Sequence, residues 1–195
     1  QFPNLWQGRG VLEMPLSGLS HKASLRLVQQ VLSQELSPAA TAQLIEQAAG
    51  NALYLEELIR AAAEGKLEDK PATVVAMLQA RIGRFESGPR RVLLAAGVFG
   101  RPFVRSGVAA LLGLPRDAVE LDDWLRALCA KEVIQPGSST SRPSSDDVVY
   151  SFRHALVRDA AYGLLTVDDL ATGHRLAGAY LEAAGEVDPA IIAEH

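Results

Sequence analysis

The sequence predicts a mainly α-helical chain: a helical bundle, then a winged-helix domain with a small β-ribbon, then the start of an α-helical repeat array. Three observations predict this. Apolar residues recur at helical spacing through most of the 195 residues, punctuated by Ser, Asn, Thr and Gly at helix ends. Val148, Tyr150 and Phe152 alternate with Val149, Ser151 and Arg153, the pattern of a half-buried strand. Three helical segments followed by two short strands with a Ser/Pro/Asp/Gly-rich tip stand in winged-helix order.

Residues 1–15 read as a loop and a short strand, Val11-Leu12-Glu13-Met14. Leu25, Val28, Leu32 and Leu36 predict a helix over Leu19 to Leu36, with Ser20 as its cap. Ser37-Pro38 supplies an N-cap and a first helical residue for the next helix. Leu44, Ile45 and Ala48 form its apolar face, and Gly50 ends it in the left-handed conformation. Asn51 caps a third helix carrying Leu55, Leu58, Ile59 and Ala62. Pro71 leads a fourth, with Val75, Leu78, Ile82 and Phe85.

Ser87-Gly88-Pro89 reads as a boundary. Beyond it, Val92, Leu93, Ala96 and Phe99 predict a helix ended by Gly100, and a short helix runs from Ser106 to Leu112. A longer one, Asp117 to Lys131, carries Leu121, Trp124, Leu125 and Leu128. Val133-Ile134-Gln135 is a brief strand, and Pro136 to Asp147 a polar loop. Helix resumes at His154 and runs to Leu165. Thr166-Val167-Asp168-Asp169 offers a capping box to another helix, which Gly185 stops before Asp188-Pro189 starts the next. The aromatic residues Tyr54, Phe85, Phe99, Phe103, Trp124, Tyr150, Phe152 and Tyr162 are expected in the core.

Composition bounds the function. Apolar residues make up 48% and charged residues 22%, ordinary for a globular protein with a real core. A net charge of −4 argues against bulk attraction to nucleic acid or an anionic membrane. The one cysteine, Cys129, excludes an internal disulfide and is expected as a buried thiol. No apolar run approaches the roughly 18 residues of a membrane helix. We expect a cytoplasmic chain that is part of a longer protein.

Catalytic motifs are missing. The Gly-Lys pair, Gly65-Lys66, has Arg60 where a phosphate loop needs its first glycine, and Leu67 follows it. Val157-Arg158-Asp159 lacks the asparagine of a kinase catalytic loop, since Leu164 stands there. No histidine shares a metal-ligand spacing, and no Gly-x-Ser-x-Gly elbow occurs. The segment is therefore not expected to be an enzyme on its own.

Two stretches carry the functional reading. In Tyr150–Tyr162, YSFRHALVRDAAY, His154 stands where a strand turns into a helix. A helix N-terminus favours an anion, and an imidazole there can donate to a phosphate oxygen. Arg153 and Arg158 add charge. Earlier, Gly50-Asn51-Ala52-Leu53-Tyr54-Leu55-Glu56-Glu57-Leu58 stops one helix and starts another.

On these residues, over nearly its whole length, the chain resembles the C-terminal half of a STAND-type AAA+ ATPase. Such regions are found fused to bacterial serine/threonine kinases, adenylate cyclases and large transcriptional activators. The resemblance implies a remnant of the NTPase core at 1–15, a helical lid at 16–86, a winged helix at 87–165 and TPR-like repeats from 166 to 195. The family's Gly-x-Pro lid element, near the adenine, falls on Gly50, Asn51 and Ala52, with alanine in place of proline. The Met-His-Asp signature of related ATPases, whose histidine contacts the β-phosphate, falls on Arg153, His154 and Ala155, of which the histidine matches.

The resemblance implies nucleotide contacts from His154, Gly50, Asn51, Arg81 and Arg153 in an intact parent that binds ATP or ADP with Mg in its core. Arg81 belongs to an arginine-rich stretch with Arg84, Arg90, Arg91, Arg101 and Arg105. The implied partners are an upstream NTPase core and downstream repeats of the same chain, with self-association on activation. Two rival readings remain. One is a DNA-binding winged helix, weighed against by Asp117, Glu120, Asp122 and Asp123 on the would-be recognition helix. The other is a scaffold that no longer senses nucleotide, in keeping with Ala52 and Ala155.

Overall fold

The computed structural model describes residues 17–32, 36–65, 73–100, 102–137 and 147–185. The expected strand at Val11–Met14, the lead-in at Pro71, most of the Pro136–Asp147 loop and the start at Asp188-Pro189 lie outside the described residues. The described chain is mainly helical, with one small antiparallel sheet. It falls into two compact units that divide between Lys70 and Pro71.

The first unit contains α1 (His21–Leu32), α2 (Pro38–Ala48) and α3 (Ala52–Ala63). Each starts on a polar side chain. The Ser20 hydroxyl accepts from Ala23 N, Ser37 from Ala40 N and Asn51 Oδ1 from Tyr54 N. These bonds satisfy amides that a helix leaves unpaired at its start. Val28, Leu32, Leu44, Ile45, Leu55, Leu58 and Ile59 interlock as the core. Full burial of each such side chain contributes about 1.5–3 kcal/mol. Leu25 is only half-buried, and the buried α1 position one residue earlier is Ser24. The left-handed turn after α2 takes two residues rather than Gly50 alone: Ala49 has φ 47° and Gly50 φ 78°. Gly50 is pressed against the segment that leads into α1, since Leu19 N donates to its carbonyl at 2.8 Å.

The second unit contains α4 (Val74–Gly83), α5 (Ser87–Phe99), β1 (Phe103–Val104), α6 (Arg105–Leu112) and α7 (Val119–Ala130). It continues with β2 (Ile134–Pro136), β3 (Val149–Phe152), α8 (Ala155–Tyr162) and α9 (Val167–Ala183). The series α5-β1-α6-α7-β2-β3, with sheet order β1-β3-β2, is a winged-helix arrangement. The expected two-stranded ribbon thus has a third strand. β1 places Phe103 opposite Tyr150, and β2 places Ile134 opposite Phe152. Two residues are too few for an alternation to be read from sequence.

Ser87-Gly88-Pro89, read as a boundary, forms the first turn of α5. Gly88 and Pro89 are buried, and the indole of Trp124 lies directly against Gly88. α4 packs on α8, and α5 on α7, α8 and α9, so α4 and α9 both belong to this unit. Val92, Leu93, Leu121, Leu125, Leu128, Ile134 and Phe103 form the centre of its core. Of the eight aromatic residues expected inside, Tyr54, Phe103 and Phe152 are buried and the rest half-buried. Cys129 is half-buried rather than enclosed, and burial raises its thiol pKa.

Candidate functional site

His154 is the N-cap of α8. Its backbone is extended, φ −140° and ψ 146°, and its Nδ1 accepts from Leu156 N at 3.1 Å. An accepting Nδ1 carries no proton, so in the neutral ring the proton sits on Nε2, which is then a donor. The residue is exposed. The first turn of α8 therefore presents its partial positive charge together with an imidazole N–H. Phe152, buried at the end of β3, and Val157, buried in α8, anchor the junction on both sides.

The two arginines expected to add charge beside the ring have other partners. Arg153 Nη1 lies 3.0 Å from Glu132 Oε1, which offsets its charge. Arg158 Nε donates to Gly97 O at 3.0 Å, and its guanidinium lies 4.7 Å from the centre of the Tyr162 ring. Tyr162 in turn meets His174 Nε2 at 2.9 Å through its hydroxyl. Arg158 thus serves packing between α5 and α8.

The structure brings Arg81 and Arg153 onto one turn. Arg81 Nη2 donates to Lys131 O at 2.5 Å, and Lys131 is followed by Glu132, the partner of Arg153. Glu132 has φ 57°, a left-handed conformation uncommon for a residue with a β-carbon. Arg153 N also donates to Val133 O at 3.1 Å. The C-terminal turn of α7 is therefore held from α4 on one side and from the β3–α8 junction on the other. Gly50 and Asn51 belong to the first unit, where Gly50 forms the turn after α2 and Asn51 caps α3.

The arginine stretch does not act as one patch. Arg105 Nε and Nη2 grip Asp122 Oδ1 and Oδ2 at 2.5 and 3.1 Å, and Arg105 also donates to the carbonyls of Arg116 and Ala118. That clamp raises the Arg105 pKa and lowers that of Asp122, in each case chiefly through the hydrogen bond between them. Arg90 donates to Gly83 O at 3.3 Å. On α7, Asp123 pairs with Arg126 at 2.7 Å and Glu120 stays exposed, as does Asp117 just before the helix. The exposed Asp117 and Glu120 do not suit a DNA backbone.

Sequence reasoning missed the Arg105–Asp122 clamp and a hydrogen-bonded group of buried Ser106 with half-buried Asp147 and Tyr180. Their separations, 17 to 74 residues, leave no local signal. Among the described residues no group of three or more His, Cys, Asp or Glu could hold a metal. None of the described helices is long and apolar enough to cross a membrane. Comparison with known proteins finds no family model that matches the chain and no curated protein that matches it.

Proposed function

We propose that this chain is the regulatory, nucleotide-sensing lid and winged-helix segment of a signal-transduction ATPase. On this reading an NTPase core, N-terminal in the same protein, holds ATP or ADP with Mg. We assign the lid to residues 16–86, the winged helix to 87–165 and the start of the repeats to 166–195; α4 from the lid and α9 from the repeats pack against the winged-helix elements in one compact unit. The segment performs no catalysis itself. It couples nucleotide state in the cytoplasm to an effector such as a protein kinase, and self-association accompanies activation.

One observation carries the reading: His154 is exposed at the N-terminus of α8 with Nδ1 occupied by its own helix and an N–H left on Nε2. Such a donor suits a phosphate oxygen approaching along the helix axis. A charge-assisted hydrogen bond contributes about 1.5–3 kcal/mol, a bias of about ten- to a hundredfold between two states that differ in that contact. Arg153 and Arg81 support the junction through the α7 turn, and Gly50 and Asn51 shape the helix start in the lid.

The test compares two variants in the intact parent protein. His154→Asp keeps a good helix cap but sets a negative charge against a phosphate, whereas His154→Ala removes cap and donor together. Both should release fluorescent ADP at least tenfold faster and raise basal output, with His154→Asp the stronger. ADP release unchanged in both variants would falsify the role of His154.

A further inference from the structure

α6 starts without a cap from its own neighbourhood. Its N-cap position is Val104, which has no side-chain acceptor. Asp147 provides one from 41 residues away: Ser106 N lies 3.3 Å from both carboxylate oxygens, and the Ser106 hydroxyl donates to Oδ2. Next to it, Arg105 N donates to Val148 O at 3.0 Å. From the opposite side α9 brings the Tyr180 hydroxyl to Ser106 Oγ at 2.5 Å. The single hydroxyl proton of Ser106 goes to Asp147, so Ser106 accepts from Tyr180. The result is a directed chain, Tyr180 to Ser106 to Asp147, around a serine that is 7% exposed.

The packing holds that chain in place. Tyr180 meets Phe99 edge-on, with ring centres 5.9 Å apart. A β-carbon at Gly107 would lie 3.0 Å from Phe99 Cζ and 3.2 Å from Tyr180 Cε1, so the pair sits where a side chain would otherwise be. Earlier on α9, a β-carbon at Gly173 would lie 3.0 Å from Val98 Cγ2. α9 is thus seated on α5 and α6 at two places lacking side chains, and hydrogen-bonded at one.

We propose that Ser106 is a coupling residue that links the start of β3, through Asp147, to the docking of α9, through Tyr180. Each bond in such a chain polarises the next, so loss of Asp147 weakens the hold on Tyr180 and the reverse. α9 then moves with the winged helix as one body, and its release requires the chain to break. The significance of this coupling as a signal path rests on the function proposed above; the coupling itself does not.

Hydrogen–deuterium exchange on the 195-residue chain tests it without any nucleotide, so failure here leaves the nucleotide reading standing. Tyr180→Phe keeps the ring against Phe99 and removes one bond, and circular dichroism confirms that it folds. It should speed exchange of the Ser106 amide about two- to tenfold, the range for one hydrogen bond. Asp147→Ala should speed exchange along α9 to a similar extent. The double variant should exchange α9 no faster than the faster single variant. If Asp147→Ala frees only the Ser106 amide and leaves α9 unchanged, or if the two effects simply multiply, the coupling is wrong.

Discussion

Arg81 on α4 donates from Nη2 to the carbonyl of Lys131 at 2.5 Å, at the same turn whose next residue, Glu132, pairs with Arg153. Two cations 72 positions apart in sequence thereby brace one helix end, where unpaired carbonyls and negative dipole make a cation favourable.

Arg81→Met keeps the apolar stem and removes the donor. The side chain is half-buried, so the expected loss is about 1 kcal/mol, read as a lower urea midpoint. Because both arginines hold one turn, Arg81→Met and Arg153→Met should couple in a double-mutant cycle. Strict additivity would show that the two contacts are independent.

Gly88 has no room for a methyl group. A β-carbon there would stand 2.3 Å from Trp124 Cε2 and 2.5 Å from Nε1. Displacing a whole indole that also covers α5 costs about 1–3 kcal/mol. Gly88→Ala should therefore lower the melting temperature clearly in the native background and much less in a Trp124→Leu background. An equal loss in both backgrounds would place the cost elsewhere.

Ala49 adopts φ 47° and ψ 38°, which a β-carbon makes unfavourable by roughly 1–2 kcal/mol. Glycine removes that cost but adds about 0.5–1 kcal/mol of unfolded-chain entropy. Ala49→Gly should then stabilise the first unit slightly, by up to about 1 kcal/mol. A lower denaturation midpoint for this variant would contradict the strain.

The Asp122 carboxyl is held below its ordinary 3.8 by the hydrogen bond from Arg105 first, against the opposing effect of burial, with charge attraction adding to it. A pKa lower in the folded than in the unfolded chain favours folding above the unfolded value. The contribution is thus complete at neutral pH and fades as pH falls from about 5 through the folded value. The Asp122 side chain is 45% exposed, so solvent screening keeps it under about 1 kcal/mol. Urea midpoints of the native chain and Asp122→Asn should differ at pH 7 and converge in acid. A gap that stays constant with pH would rule out this titration.

Helix starts were legible because capping works within three residues. Ser37, Asn51 and the Thr166–Asp169 capping box all form as read. Helix faces were legible as well: Leu121, Leu125 and Leu128, spaced for one side of a helix, are all fully buried. The position of His154 was readable as a strand-to-helix junction. That its Nδ1 caps the helix, leaving Nε2 as the donor, follows only from the extended backbone and the ring orientation. That Ser87-Gly88-Pro89 opens α5, with the missing side chain of Gly88 admitting the Trp124 indole, was not legible, because Trp124 lies 36 residues away in sequence.

The sequence by itself determined the helical class, most helix starts and the winged-helix order, because periodicity and caps act over a few residues. Only the tertiary structure decided that Asp147 caps α6, that Arg105 clamps Asp122, that a third strand joins the sheet and that α4 and α9 pack against α5, α6 and α8 in one unit. Those pairings depend on where packed helices bring distant side chains, and no local pattern in the chain encodes that meeting.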